Sequence, residues 1–498
     1  MDHLISWVIF LPLIGAGIAL FVRDTGTVKV LALLTTIADF LLSLPLWLGF
    51  DSGTAAFQFE EKYAWIPTFH ANYHVGVDGI SLLLVILTTF LGPFCVLCSW
   101  NAVTHRAREF MISLLVMQTA MIGVFCALDL VLFYLFWEGM LIPMYLIIGV
   151  WGGVNRIYAA VKFFIYTLAG SVLLLIAMIY LFFAGGHTFD IPTLMTVDLD
   201  PRAQAWLFAA MFVAFAIKVP MFPFHTWLPH AHVQAPTAGS VILASVLLKM
   251  GAYGFLRLAL PMLPDASGSF TPFVLTLSVV AIIYGAYMAL AQTDIKKLIA
   301  YSSVSHMGFV VIGMFVYNQQ GLEGALLQML NHGITTGALF LSVGIIYDRR
   351  HTRDIGEFGG LAKTMPMFAT CFMIFTLSSI GLPGTNGFVG EFLVLLGAFS
   401  FHKVTGVLAA LGIVLGAVYM LYLAARMIWS ACSNPENQTL KDLDMREVAV
   451  LAPLVVMVFW IGLYPAPFLD VMHASVVHLL DQTAGMNGPA QIALSAVK

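Results

Sequence analysis

The chain has 498 residues, 60% of them hydrophobic and only 10% charged, with a formal net charge of -4; soluble domains carry roughly 25% charged residues. That composition excludes a pair of soluble domains of this length, and the small net charge gives no basic surface on which to argue a nucleic-acid partner. A polytopic, all-α membrane protein is what remains.

A spanning helix needs about 20 mainly apolar residues. By that measure fourteen spans are expected, at 4–22, 30–50, 78–100, 110–127, 129–150, 161–184, 205–227, 237–260, 272–292, 298–316, 322–347, 364–400, 406–428 and 447–466. The run 364–400 is too long for one straight crossing and holds Gly381, Pro383, Gly384, Gly387 and Gly390, so it reads as a single broken helix. The first run lacks a basic flank and reads as a retained helix rather than a cleaved signal. With the N-terminus outside, fifteen Lys and Arg, Lys296 and Lys297 among them, fall on the inner side. Five fall outside: Lys62, Arg202, Arg257, Lys403 and Lys498. This positive-inside bias places both termini in the periplasm or its equivalent.

Four ionisable residues stand alone in stretches otherwise fit for lipid. Lys218 and Lys249 are the only charges between Arg202 and Arg257, and Glu391 the only one between Lys363 and Lys403. Glu138, in FWEGMLIPMYLIIG, lies nine residues beyond Asp129, well below the surface at about 1.5 Å per residue. A lone charge near the bilayer centre costs from roughly 2.5 to over 10 kcal/mol, and such residues mark ion or proton routes. The competing readings are a headgroup-level carboxylate for Glu138 and snorkelling for Lys218 or Lys249.

Helix breakers adjoin two of these charges. Lys218 precedes Pro220 and Pro223, and Glu391 follows LPGTNG. Proline frees backbone groups, which membrane depth tolerates only where protein or water satisfies them. Corresponding broken segments in two halves of a transporter point to its ion site. Lys218 and Glu391 are 173 positions apart, Glu138 and His306 168. Five spans separate each pair, so two units of opposite orientation are expected. The resulting boundaries are 1–109 (helices 1–3), 110–260 (first repeat), 261–430 (second, inverted repeat) and 431–498 (helix 14 and tail).

His306 and His332 fall within spans, where a near-neutral group suits proton relay; a structural histidine held by a serine or carbonyl is the alternative. His225, His230 and His232 end the first broken helix and read as a polar connector or proton entrance, since no acid or cysteine stands near to complete a metal site. His3, His70, His74, His105, His187, His351, His402, His473 and His478 read as loop or interface residues, and Lys296 with Lys297 as an interfacial anchor. Cys95 and Cys98 have CxxC spacing without a second ligand pair and read as packing residues. No dinucleotide, P-loop or iron–sulfur motif is visible.

Together, HVGVDGISLLLVILTTF, FWEGMLIPMYLIIG, KVPMFPFHTWLPHAHVQAPTAGSVILASVLLKMGAYG, QTDIKKLIAYSSVSHMG and LPGTNGFVGEF resemble the antiporter-like subunits of respiratory complex I over nearly the whole chain. A glutamate at the distal broken helix, Glu391, is similar to the M-type (chain 4) branch. The resemblance implies fourteen helices with two inverted five-helix repeats, and membership in a proton-translocating NADH:quinone oxidoreductase. It implies that FMN, iron–sulfur clusters and quinone chemistry belong to partner subunits, with none of these cofactors in this chain. Implied partners are the other complex I subunits, above all two sister antiporter-like subunits, together with lipid and protons, in a bacterial inner membrane. In the family's scheme Glu138 and Lys218 form a switchable pair, Lys249 with His306 and His332 carries protons along a central hydrated axis, and Glu391 couples to an exit or to the next subunit. The rival readings are a subunit of a multisubunit cation/proton antiporter or membrane-bound hydrogenase, and a scaffold that does not pump.

Overall fold

A computed structural model describes residues 3–432 and 434–484; Lys498 and the rest of the tail lie outside the described residues. Among the described residues, twelve helices are long and apolar enough to cross a membrane. They are α1 (Leu4–Phe21), α2 (Thr25–Leu48), α3 (Leu82–Ala102), α4 (Ala107–Cys126), α5 (Leu130–Trp151) and α6 (Arg156–Ala184), then α8 (Thr237–Met262), α9 (Pro264–Leu290), α10 (Ile295–Phe315), α11 (Gln319–Arg350), α13 (Lys403–Trp429) and α14 (Met445–Leu463). Two broken elements stand between them where they are expected. One, α7, runs as Pro201–Lys218 and Trp227–Gln234. The other, α12, runs as Pro366–Ile380 and Asn386–Phe401.

Local chemistry sets the boundaries. Asp24, Asp129, Asp200 and Asp294 each cap a helix by accepting from backbone N–H groups of its first turn, where four donors would otherwise lack partners. Asp444 and Glu447 form a reciprocal capping box at the start of α14. In α12 the chain turns at Gly381 (φ 81°) and Gly384 (φ 90°), conformations that side chains with a Cβ disfavour. The segments α8 and α11 are buried along their whole apolar length and α10 nearly so, whereas α1, α2, α6, α9, α13 and α14 keep over half of theirs outward. The polar interior therefore lies on α8, α10 and α11.

Beyond helices of a single turn, a hairpin and one helix are not among the expected elements. A hairpin of β1 (Gln58–Ile66) and antiparallel β2 (Ala71–Val77) fills the loop between α2 and α3. A further helix, α15 (Ala466–Thr483), follows α14. The hairpin corrects the reading of His74, which is buried and bonds Asp190 through Nδ1 at 2.7 Å and Glu60 through Nε2 at 2.8 Å. Lys62 also reaches Asp190, at 2.7 Å.

Matching devices recur through the chain. Asp129 bridges Asp190, and Asp294 bridges Asp354, 165 and 164 positions later. A wider, π-helical turn at Phe255–Ala259 recurs at Ala425–Trp429, 170 positions on.

Candidate functional site

Lys218 is the last helical residue of the first piece of α7 and is 1% exposed. Its burial follows from the break beyond it: Trp227 Nε1 donates to the Ile217 carbonyl at 2.8 Å, so protein satisfies the freed backbone. On the other side Gly251 of α8 lets the helices approach, since a Cβ there would lie 2.9 Å from Lys218 Cβ. The ammonium meets Met140 Sδ at 3.5 Å and the Trp137 ring at 5.0 Å from its centroid. Glu138 is only half-buried, and its Oε1 is shielded without a hydrogen-bond partner. Lys218 thus packs against the residues that flank Glu138 along α5, and the two charges are not a contact ion pair. The helix face that carries Glu138 points partly outward, which accounts for the gap.

Lys249 is fully enclosed, which removes the snorkelling reading. A π-helical turn at Leu243–Leu247 precedes it, leaving the Ala244 carbonyl free to accept from Lys249 Nζ. The same Nζ lies 2.6 Å from His332 Nδ1 on α11. From His332 the line continues to His306 on α10, with ring centroids 5.8 Å apart. His306 Nδ1 is 2.8 Å from Glu391 Oε1, and its Nε2 is 3.2 Å from Ser379 Oγ and 3.4 Å from the Tyr419 hydroxyl. Gln328 Nε2 donates to the same Glu391 oxygen at 2.9 Å.

Four of the six expected residues, Lys249, His332, His306 and Glu391, therefore lie along one line, with a gap between the two histidine rings. Lys218 and Glu138 form a separate centre. Between His332 and His306 lies a small cavity lined also by Gln328, Asn331, Thr335 and Ser378. His332 Nε2, Gln328 Oε1 and Asn331 Oδ1 are buried without protein partners, and such sites are where water joins a polar network.

Other charged and histidine positions differ from expectation. Lys296 is not an interfacial anchor: it is 4% exposed and donates to the Ala235 carbonyl at 2.7 Å, while Lys297 is exposed. Neighbours on a helix point about 100° apart, so one lysine faces inward and the other out. Arg257 is not a free outer-side cation: its guanidinium pairs with Asp78 at 2.5 Å, both buried. His225 and His232 are buried and His230 is exposed, so the three do not converge on one point. His232 stacks on Phe340 with centroids 4.6 Å apart, and neither ring nitrogen has a partner. Gln328 and Tyr419 were not among the expected site residues. Their uncharged side chains give no lone-charge signal.

Two family models match: "NADH:quinone oxidoreductase/Mrp antiporter, TM" over residues 127–416 and "NADH-ubiquinone oxidoreductase chain 4, amino terminus" over residues 25–124. The chain is 52% identical to NADH-quinone oxidoreductase subunit M of Rhodobacter capsulatus, covering 96% of this chain and 97% of that one. It is 49% identical to NADH-ubiquinone oxidoreductase chain 4 of Marchantia polymorpha, with the same two coverages. A subunit in the structure of respiratory complex I from Thermus thermophilus with bound NADH superposes with a TM-score of 0.90 at 31% identity, over 97% of this chain and 100% of that one. With a glutamate at the second broken helix and matches of this extent, the chain belongs to the M-type, chain 4 family of antiporter-like membrane subunits of NADH:quinone oxidoreductase.

Proposed function

We propose that this subunit translocates protons in the membrane arm of NADH:quinone oxidoreductase, driven by NADH oxidation and quinone reduction in partner subunits. The observation that carries the reading is the buried line from Lys249 through His332 and His306 to Glu391. Each member can hold or release a proton, and the cavity between the two histidines offers a place for water. Lys218 and Glu138 form the second centre, coupled to the line through α8, which carries Lys249 and packs against α7 at Gly251.

The paired Asp129–Asp190 and Asp294–Asp354 bridges and the matching π-helical turns at Phe255–Ala259 and Ala425–Trp429 support a duplication of the unit 110–260 as 261–430. In this reading each broken helix counts as one crossing and completes the fourteen. The charge bias supports periplasmic termini in a bacterial inner membrane. Two sister subunits are the neighbours this reading expects, and FMN, iron–sulfur clusters and quinone are assigned to other partners.

The test is purification of the native assembly, followed by inhibitor-sensitive NADH:quinone activity and NADH-driven proton uptake in sealed vesicles. Copurifying flavin and clusters with NADH-driven pumping are expected. Cation/proton exchange without NADH oxidation would favour the antiporter reading. Normal pumping by a variant lacking both Lys249 and Glu391 would favour the scaffold.

A further inference from the structure

A buried acid stands apart from the line just described. Asp39 lies in the middle of α2, fourteen residues from Thr25 and nine from Leu48, or about 21 and 14 Å along the axis. It is 0% exposed. Its Oδ2 accepts from Gln118 Nε2 on α4 at 2.6 Å, and its Oδ1 has no partner. The amide is neutral, and among the described residues Asp39 enters no ion pair. A charged carboxylate would be uncompensated there, whereas a neutral acid carries a proton on the oxygen that lacks a donor.

The titratable groups on the packed helices do not change that balance. None occurs on α1; α3 carries Cys95 and Cys98; α4 carries Arg108, Glu109 and Cys126. Arg108 and Glu109 precede Gln118 by ten and nine residues, and Cys126 follows it by eight, distances of about 12–15 Å.

Gln118 also lines a cavity shared with Thr36, Thr88, Gly92, Cys95 and Val246. About 20 Å³ of it is open to the centre of a water-sized sphere, above the roughly 10–15 Å³ that one water needs. Gly92 keeps room for the amide, because a Cβ there would come within 2.5 Å of Gln118 Oε1. The Thr36 and Thr88 hydroxyls donate to their own helix carbonyls, which leaves oxygen lone pairs for water. Thr119 Oγ1, the next residue along α4, is likewise buried without a partner. Val246 belongs to the π-helical turn whose Ala244 carbonyl holds Lys249.

We propose that Asp39 is an additional proton-binding site of this subunit, a neutral carboxylic acid whose proton exchanges with water that reaches it from the cavity bordered by Gln118, its hydrogen-bond donor, and by Thr36, one turn before it on α2. In the exchange the Asp39 O–H bond breaks as a water proton replaces it, and net charge is unchanged. The inference goes beyond the proposed proton line, since it requires neither Lys249 nor Glu391.

Infrared difference spectra of the complete complex in lipid vesicles, taken in H2O and D2O, test it. Wild type is expected to show a carboxylic-acid C=O band that shifts to lower frequency in D2O and is absent from Asp39→Asn. Survival of every deuterium-sensitive carboxylic-acid band in Asp39→Asn would overturn the proposal, as would a lost band that never shifted. Should that variant fail to assemble, Gln118→Leu keeps the acid but removes its donor. It is expected to move the same band, and unchanged spectra would overturn the site.

Discussion

His306 and Glu391 sit on different helices with Nδ1 and Oε1 only 2.8 Å apart, and Gln328 donates to the same carboxylate oxygen. A proton can pass between ring and carboxyl with no change of helix position. Glu391→Gln keeps the shape but removes the titrating oxygen. NADH-driven pumping in vesicles is expected to fall by about tenfold or more, since a positioned proton-transfer group contributes about a hundredfold or more to a rate. Glu391→Lys sets an ammonium against the Gln328 donor and is expected to recover little. Normal proton uptake by Glu391→Gln would remove the second unit from the route.

Lys249 is held by the Ala244 carbonyl and His332 Nδ1. Both contacts are made by one Nζ, a geometry that the planar arginine fork does not reproduce and whose proton arginine does not release. Lys249→Arg is therefore expected to lower pumping by about tenfold or more while the complex assembles. His332→Gln, which keeps a polar partner but cannot relay a proton, should lower it similarly. Wild-type turnover in Lys249→Arg would reduce the lysine to an anchor.

The crossings were legible because each is one apolar run, and the breaks because Pro220, Pro223, Gly381 and Gly384 interrupt such runs. The hairpin was not. Its first strand mixes Glu60, Glu61 and Lys62 with aromatics, so neither span length nor strict alternation marks it. Helix α15 carries Asp470, His473, His478 and Asp481 among its apolar positions, too polar to register as a crossing. Lys218, Lys249 and Glu391 stood out as single charges in apolar text. Asp39 meets the same test, and only its nearness to the polar Thr35 and Thr36 softens the signal. Contacts such as His306 to Glu391 join residues 85 apart, and only packing brings them together.

The buried Arg257–Asp78 pair, with Tyr253 OH 3.1 Å from Arg257 Nε, makes a prediction about assembly. Removing one partner strands the other at a cost of about 3–5 kcal/mol, whereas replacing both can be nearly neutral. Asp78→Ala is expected to lower the yield of intact complex on native gels, and Asp78→Ala with Arg257→Leu to restore much of it. Equal yields for the single and double variants would show that the pair is not coupled.

At the hairpin, Asp190 is buried, which alone would raise its carboxyl. Hydrogen bonds from His74 and Lys62 outweigh that and hold it below the usual carboxylate range. A lowered folded value means its stabilisation is in force above the unfolded value of about 3.9 and is lost only as pH falls through the folded one. Its part of the tether should therefore be unchanged between about pH 5 and 8. Asp190→Asn is expected to speed protease cleavage of the hairpin in the intact complex at both ends of that window. Fast cleavage of the variant at pH 8 only would contradict this sign.

Glu138 and Lys218 make no contact ion pair, and Lys218 instead meets Trp137 and Met140, which flank Glu138 along α5. A coupling without contact leaves each group competent to hold a proton yet ties the state of one to the charge of the other. Removing either should stop the switch, so Glu138→Gln and Lys218→Met are each expected to lower pumping by about tenfold or more. The double variant should lose little beyond either single one, since members of one unit are not additive. Glu138→Asp keeps the charge but draws it back by about one methylene, and on a Coulomb term that falls as 1/r it should retain most activity. Fully additive losses in sealed vesicles would mean that the two residues serve separate routes.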